Sequence, residues 1–182
     1  KQPEYRQHIA ERFSIYPSLA EQRRTLWVHA VSVGETRAAE PLIRQLLADY
    51  PDARIVLTHM TPTGRATSQG LFADCAQRVI PVYLPYDIPL ACRRFIQHFQ
   101  PKLGVLMETE IWPTLINQAA PHFPVTLVNA RLSARSARGY QRLRVLISPA
   151  LRQLALVAAQ TPADAERLSE LGADNIAITG NM

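Results

Sequence analysis

From residue 26 onward, the hydrophobic positions of the chain alternate between two patterns. Continuous apolar runs occupy residues 26–33, 54–60, 78–84, 103–107, 125–129, 154–160 and 175–179. Amphipathic stretches such as 35–50 and 88–99 lie between these runs, with Ala38, Leu42, Leu46 and Leu47 on one helical face. Continuous apolar runs are typical of parallel strands buried on both faces. The pattern therefore predicts an α/β fold with a doubly wound, mostly parallel, Rossmann-like sheet and helices on both faces.

The ends of the predicted helices carry matching signals. Pro41 and Pro113 are expected near the first turn of their helices, where a missing N–H is tolerated. Thr161 is expected to cap a helix that ends at Gly172. Residues 1–25 are predicted to be a separate helical approach segment, with residues 26–182 forming the sheet domain. In the approach segment, the apolar stripe that would pack on the core consists of Tyr5, Ile9 and Phe13.

Candidate chemistry follows the first strand. Ligands of open α/β sheets bind beyond the carboxyl ends of the strands, where the strand order reverses. With the common order 3-2-1-4-5, strands one and four flank that crevice. The first strand leads into Ser32, Gly34 and Glu35, where Gly34 allows a tight turn and Glu35 opens a helix. Glu35 is a candidate for proton transfer, although an acid in a first helical turn also simply complements the helix dipole.

Two further acids follow the fourth strand. Glu108 and Glu110 are two residues apart, so an extended chain would point them to the same side. Carboxylates directly after a buried strand need partners, and their uses include proton transfer, hydrogen bonds to hydroxyls and pairing with Arg. One of them could instead cap the next helix while Trp112 packs in the core. The sequence therefore predicts three acids converging on one crevice.

Basic and hydroxyl side chains follow two other strands. Six arginines and no acid lie between residues 131 and 152. Arg131, Arg135 and Arg138 are the candidates for phosphate or carboxylate binding, and Arg142, Arg144 and Arg152 are assigned to a solvated face. The loop after strand two contributes further substrate-binding candidates, which are Thr58, Thr61 and Gly64.

Composition narrows the class of protein. The net charge is +5 and only two of the 20 cations are Lys, which favours anionic partners and fits a high-GC codon bias equally well. The two cysteines are far apart, and no motif marks a zinc site, a P-loop, a dinucleotide-binding loop or a hydrolase elbow. No apolar run is long enough for a membrane span. Both ends look cut, which suggests a domain of a longer protein.

At this point a family resemblance becomes specific. Residues 27–35 (WVHAVSVGE), 107–113 (METEIWP) and 129–133 (NARLS) closely resemble motifs of the 3-deoxy-D-manno-octulosonic acid (Kdo) transferases of Gram-negative bacteria, and the likeness runs from residue 3 to residue 181. The resemblance implies the N-terminal, acceptor-binding half of a GT-B fold. The membrane-anchoring segment and the nucleotide-sugar-binding C-terminal domain of the family would lie outside this chain.

The resemblance also implies an activity and its residues. Members of the family transfer Kdo from CMP-Kdo to the lipid A precursor, without a cofactor or a metal. The family's catalytic base falls on Glu35, and a second essential acid falls on Glu108 or Glu110, with Glu108 preferred. Ser32 and Gly34 join the arginines and the 58–64 loop as expected substrate-binding residues. The number of Kdo units transferred is left open.

The resemblance also implies binding partners and a cellular location. The expected partners are the lipid A precursor, CMP-Kdo bound mainly by the missing domain, and a membrane surface, with no nucleic acid. The expected location is the cytoplasmic face of the bacterial inner membrane. Two alternatives remain: another GT-B transferase or sugar-nucleotide epimerase, or a non-catalytic anion- or nucleotide-binding module. The isolated chain is expected to be inactive without its C-terminal domain.

Overall fold

The protein forms one seven-stranded parallel sheet. The structure, a computed structural model, describes residues 7–19 and 23–182. The strands are β1 (Thr25–His29), β2 (Arg54–His59), β3 (Val79–Tyr83), β4 (Gly104–Met107), β5 (Val125–Ala130), β6 (Leu156–Ala159) and β7 (Ile176–Ile178). Their order in the sheet is β3-β2-β1-β4-β5-β6-β7. The predicted order of the first five strands and the predicted α/β class are confirmed.

Helices connect successive strands. They are α1 (Ile9–Arg12), α2 (Val33–Asp49), α3 (Pro62–Leu71), α4 (Pro89–Phe99), α5 (Pro113–Ala119), α6 (Ala134–Arg142), α7 (Arg144–Arg152) and α8 (Pro162–Leu171). A 3₁₀ turn spans Ala73–Cys75. Four helices begin with a hydroxyl that accepts a backbone N–H of the first turn, and these cap residues are Ser32, Thr61, Ser133 and Thr161. All four caps follow a strand directly, so helix starts gather at the carboxyl edge of the sheet.

The core has one layer on each face of the sheet. Neighbouring residues of β1 divide between the layers: Trp27 packs with Phe95, and Val28 packs with Ile43. This alternation is what a strand with both faces covered produces. The sheet is therefore rigid in its centre, where β1 lies between β2 and β4.

The approach segment differs from its prediction. Within the described part of residues 1–25, helix is limited to α1, and Ile9 and Phe13 are both more than 40 % exposed. Ser14 has a positive φ of 58° and Pro17 follows, and neither suits a continuing helix. Tyr5, the third member of the predicted stripe, lies outside the described residues. The prediction of a helical segment packed by this stripe is therefore wrong for Ile9 and Phe13.

Polar contacts fasten α1 to the sheet instead. The buried Glu11 carboxylate accepts hydrogen bonds from Arg65 Nη1 at 2.6 Å and from the Tyr83 backbone N–H at 2.7 Å. Arg12 donates to the Met60 and Leu84 carbonyls. These contacts place α1 beside the carboxyl ends of β2 and β3.

One helix start also differs. Pro41 lies in the interior of α2 and not in its first turn, because the Ser32 cap starts the helix eight residues before it. Pro113, by contrast, occupies the first position of α5 as predicted.

Candidate functional site

Glu35 is fixed by a reciprocal cap at the start of α2. Its backbone N–H donates to Ser32 Oγ at 3.3 Å, and Ser32 Oγ donates to Glu35 Oε1 at 2.9 Å. The second carboxylate oxygen, Oε2, accepts the Val31 backbone N–H at 2.9 Å. This is a variant of the capping box, with a Ser and a Glu three residues apart, in which the Glu accepts the N–H of the residue before the cap. It holds both oxygens of Glu35 at the carboxyl end of β1.

The surroundings of Glu35 disfavour its charge. Only 8 % of the residue is exposed. Burial raises the pKa of Glu35, the hydrogen bonds from Val31 and Ser32 lower it, and the charges of Glu110 and Glu108 raise it further. The pKa of Glu35 therefore lies above its usual range. The coupling to both acids also shows that the three carboxylates share one region, as the sequence predicted.

Glu108 and Glu110 do not face the same side. Glu108 has a positive φ of 54°, and a turn closes when the Glu110 N–H donates to the Met107 carbonyl. The chain is therefore not extended here, and the prediction of a shared side is wrong. Glu108 lies 3.7 Å from Arg131 Nη2, which follows β5, whereas Glu110 accepts from Trp112 Nε1 at 3.0 Å.

Glu110 points instead toward the end of β1. Its Oε2 lies 3.6 Å from Nε2 of His29, the last residue of that strand. Because β1 and β5 flank β4 on opposite sides, the two acids reach toward opposite neighbours.

A buried polar network lies beneath the acids. Thr58 Oγ1 accepts from Trp27 Nε1 at 2.9 Å and lies 2.9 Å from His29 Nδ1. Thr58 and His29 have no exposed surface. Thr58, predicted to bind substrate, is thus placed where no substrate can reach it, and its hydroxyl serves side chains of β1.

Thr61 and Gly64 tie two loops together. Thr61 Oγ1 donates to the Val31 carbonyl at 3.0 Å and accepts the Gly64 N–H at 3.1 Å. A Cβ on Gly64 would lie 2.8 Å from that same carbonyl, so only glycine fits. Below them, His59 Nδ1 donates to the Ala30 carbonyl at 2.8 Å. Thr61 and Gly64, also predicted to bind substrate, position the loop that leads to Glu35.

The glycine beside Glu35 has another role than expected. Gly34 is helical and exposed, with no positive φ, so the predicted tight turn is not found there. The nearest atom to a Cβ at Gly34 would be Ser32 Oγ at 3.9 Å, so the backbone does not require glycine.

The arginine candidates are on the opposite side of the crevice. Arg131 has a side chain that is 67 % exposed and reaches Glu108. Arg135 and Arg138 are exposed on α6 and form no ion pair within the described residues. The loop before α6 is anchored by Asp164, whose Oδ1 accepts the Leu132 N–H at 2.8 Å. Arg131 therefore joins the acids, and the other two remain free for an anion.

The site is an open surface at the sheet edge. A cavity of about 650 Å³ lies elsewhere, at the opposite edge of the sheet between α4 and α5, where Arg93, Lys102 and His122 line it. Within residues 7–19 and 23–182, no group of His, Cys, Asp and Glu side chains is arranged to hold a metal ion. Across the same ranges, no helix combines the length and apolar character needed to cross a bilayer.

Sequence reasoning missed His29 and Trp112 as members of the site. A histidine directly after the apolar residues of a strand expected to be buried is the available signal, because a buried ring nitrogen requires a partner.

Comparison with known proteins adds the family. Residues 7–182 match the family model described as 3-deoxy-D-manno-octulosonic-acid transferase (kdotransferase). The 3-deoxy-D-manno-octulosonic acid transferase of Haemophilus influenzae is 42 % identical over all of this chain and 43 % of its own length. The Bordetella pertussis protein of the same name is 44 % identical over 86 % of this chain and 37 % of its own. The chain thus spans less than half the length of these relatives.

Solved structures show the fold alone. Two crystal structures of UDP-N-acetylglucosamine 2-epimerase superpose with TM-scores of 0.58 and 0.57, at 14 % and 13 % identity. The first covers 88 % of this chain and 49 % of its own, and the second, from Neisseria meningitidis and bound to UDP-GlcNAc, covers 86 % and 46 %. The sequence match, with the Glu35 cap and the paired acids at one edge, leads to one conclusion: the chain belongs to the 3-deoxy-D-manno-octulosonic-acid transferase family.

Proposed function

We propose that this chain is the acceptor-binding and base-bearing half of an inverting glycosyltransferase. In this proposal the full-length protein moves Kdo from CMP-Kdo to a hydroxyl of a lipid A precursor, in lipopolysaccharide biosynthesis. The observation that carries it is the Glu35 carboxylate, preorganised by its own cap and placed beside two further acids in a chain of this family. As predicted from the sequence, a C-terminal domain outside this chain would bind most of the donor.

Glu35 has the features of a general base. A sugar hydroxyl is a weak nucleophile, and a positioned carboxylate that removes its proton contributes roughly 10²–10⁴-fold to the rate. A carboxylate offers about four lone-pair sites, and the Val31 N–H and the Ser32 hydroxyl use two of them. The remaining sites can accept the acceptor hydroxyl. As the proton moves to Glu35, the hydroxyl oxygen bonds to the anomeric carbon of Kdo, and CMP leaves with the electron pair of the broken bond.

The raised pKa of Glu35 assists this role. A carboxylate whose charge is disfavoured binds a proton more readily, and Glu110 and Glu108 contribute to that effect. Glu108 or Glu110 is the second acid of the reaction, and Glu108, which pairs with Arg131, remains our preference.

The arginines suit a phosphorylated acceptor. Arg135 and Arg138 extend from α6 on the side of the edge opposite to Glu35, and Arg131 links them to the acids. A guanidinium group can bind two phosphate oxygens through two parallel hydrogen bonds. This suits a lipid A precursor that carries phosphates. Ser32 and the open backbone at Gly34 would contact the sugar near the attacked hydroxyl.

An apolar and basic surface continues from these arginines. At the junction of α6 and α7, Leu143, Val145 and Leu146 are 54 %, 88 % and 60 % exposed. Arg142 and Arg144, on either side of Leu143 in the sequence, are exposed as well. Exposed apolar side chains among cations are typical of contact with an anionic lipid surface. This junction would hold the chain against the cytoplasmic face of the bacterial inner membrane, where the acceptor lies.

An epimerase remains the second enzyme class for this sheet. The epimerase structures share the fold at an identity that carries no chemistry. The family match to the transferases, over nearly the whole chain, favours glycosyl transfer.

The test is Kdo transfer by the full-length protein, from CMP-Kdo to a lipid A precursor, with Glu35→Gln. Glutamine keeps acceptor and donor atoms for the cap but removes the basic oxygen. We expect kcat to fall by about 10²–10⁴-fold with an unchanged melting temperature. Glu40→Gln, further along the same helix, is the matched control and should keep native turnover. Native turnover of Glu35→Gln would refute the role of base.

The pH dependence offers a second measure. The rate should fall as the pH drops through the pKa of Glu35, because the protonated acid cannot accept a proton. Since the charges of Glu110 and Glu108 raise that pKa, removing either charge should move this acid limb to lower pH. An acid limb that stays in place in Glu35→Gln would assign it to another group.

A further inference from the structure

His29 ends β1 in a position that needs an explanation. The ring is fully buried, in a strand whose five residues are all buried. Burying a polar group without a partner is costly. One nitrogen, Nδ1, lies 2.9 Å from Thr58 Oγ1 and 3.1 Å from the Thr58 carbonyl oxygen. The other nitrogen, Nε2, has no hydrogen-bond partner among residues 7–19 and 23–182 and faces Glu110 Oε2 at 3.6 Å.

The hydrogen bonds of Thr58 limit where protons can lie. Its Oγ1 accepts from Trp27 Nε1, and its carbonyl can only accept. If Nδ1 carries a proton, it donates to Thr58, and the Thr58 hydroxyl donates to the Val28 carbonyl at 3.3 Å. If Nδ1 lacks a proton, it accepts from the Thr58 hydroxyl, and the neutral ring carries its proton on Nε2.

Each arrangement leads to the same result at Nε2. A bare Nε2 facing a bare carboxylate would bring two lone pairs together, which is repulsive. The contact is favourable only when one of the two groups donates a hydrogen toward the other. A gap of 3.6 Å is longer than a hydrogen bond, and such contacts commonly shorten when substrate binds.

We propose that His29 is a positioning residue for Glu110, whose carboxyl group it orients through the contact between Nε2 and Oε2. The Trp112 indole N–H supplies the other contact of Glu110 Oε2, and its ring meets the His29 ring edge-on at 6.1 Å. The His29 ring of β1 and the Trp112 indole N–H thus face the same carboxylate oxygen. The kinetic consequence of this inference rests on the proposed function, with Glu110 as its second acid, and the spectroscopic consequence rests on the contact alone.

Two substitutions separate the two ring nitrogens. Asparagine at position 29 places its amide near Nδ1, keeping the contact to Thr58 and leaving Glu110 without a partner. Glutamine places its amide near Nε2, keeping a partner for Glu110 and losing the contact to Thr58. In the full-length protein, we expect His29→Asn to lower kcat for Kdo transfer by up to about 10²-fold with little change in KM. His29→Gln should keep kcat clearly above that of His29→Asn, because its amide still reaches Glu110.

The opposite order of the two variants would overturn the proposal, because Nδ1 would then be the atom that matters. Equal losses in both, or native kcat in both, would overturn it as well. The melting temperature of each variant is measured. If a variant does not fold, the spectroscopic test described next decides the proposal.

A spectroscopic test does not depend on the reaction. In the full-length protein labelled with ¹⁵N-histidine, Glu110→Gln should shift the His29 Nε2 resonance, because the carboxylate that faces Nε2 is lost. Glu108→Gln removes an equal charge from the other acid, which pairs with Arg131, and should leave that resonance in place. An unmoved resonance in Glu110→Gln, or equal shifts in both variants, would overturn the proposal. If the native protein transfers no Kdo while the resonance shifts as expected, the proposed function fails and the positioning role stands.

Discussion

On the β1–β2 side of the sheet edge, the loops are tied to one another; on the β5 side, α6 projects free cations into solvent. The Val31 carbonyl accepts a hydrogen bond from the Thr61 hydroxyl, and the Val31 N–H donates one to Glu35. One residue therefore connects both loops. Arg135 and Arg138 have no such contacts within the described residues. The first side presents a carboxylate in one geometry, and the second can adapt to an anion. Because reacting groups must be held in a near-attack geometry, the first side suits the proton acceptor of the proposed reaction.

The largest effect on the β1–β2 side is expected from the buried His59, through the dependence of the unfolding free energy on pH. Burial lowers the pKa of His59 from its usual 6.5 to about 4. The unfolded chain therefore binds a proton that the folded chain refuses, and the free energy of unfolding should fall as the pH drops from 6.5 toward 4. The expected loss is on the order of 3 kcal/mol.

The measurement is the urea midpoint of the native protein and of His59→Asn between pH 4 and 7. Asparagine can still donate to the Ala30 carbonyl but does not titrate. Its unfolding free energy should vary less with pH than that of the native protein. His122→Asn, at an exposed position, is the control and should follow the native curve. Parallel curves for the native protein and His59→Asn would contradict the prediction.

Substitutions at two glycines test the difference between the two sides directly. A Cβ on Gly64 would press against the Val31 carbonyl, whereas a Cβ on Gly139, within α6, would meet no atom within 4 Å. Gly64→Ala should lower the free energy of unfolding by about 1–3 kcal/mol. Gly139→Ala should raise it by up to about 1 kcal/mol, because alanine favours helix. Chemical denaturation measures both, and a stable Gly64→Ala would show that the two loops are not locked.

The smallest effect per residue is expected on the cationic side. Each Arg close to an anionic membrane surface contributes about 1 kcal/mol to binding. Arg135→Gln with Arg138→Gln should therefore weaken binding of the full-length protein to vesicles containing anionic lipid by roughly 30-fold. The melting temperature should not change.

The control for this pair removes the same charge elsewhere. Arg93→Gln with Arg152→Gln changes two exposed arginines at the opposite edge of the sheet, where β4 and β6 begin. Binding to the same vesicles should stay close to native at equal ionic strength. If both pairs weaken binding equally, net charge alone attracts the protein to the membrane, and α6 has no special part.

The sheet could be predicted from the sequence because its signals are local and repeated. Each strand is a continuous apolar run, and each following helix begins with a hydroxyl or a proline, as at Thr161 and Pro113. The position of Glu35 followed from the same pattern, since it comes three residues after a cap. Regular alternation determined these features, and regular alternation is visible in one sequence.

The finer geometry of the site could not be predicted in this way. The left-handed backbone of Glu108 separates the two acids, and nothing in the residue type requires it. Thr58 and Gly64 were predicted to meet substrate because they follow a strand, yet the contacts that occupy them come from residues about 30 positions earlier. Such contacts depend on which strands become neighbours and at what register. The hydrophobic pattern alone does not specify these neighbours or their register.

The strand order also sets a sequence of events during synthesis. β1 pairs on one side with β2, which follows it closely, and on the other with β4, where Trp27 lies opposite Gly104. Synthesis at ~5–20 residues per second takes about 4 to 16 seconds for the roughly 80 residues between Trp27 and Gly104. In the later part of that interval, once Thr61 has been made, the nascent chain has both members of the Val31–Thr61 connection but lacks the segment that bears Glu108 and Glu110. The edge of β1 that will receive β4 stays open, so the central pairing of the mature sheet is expected to form only after its Glu35 half has assembled.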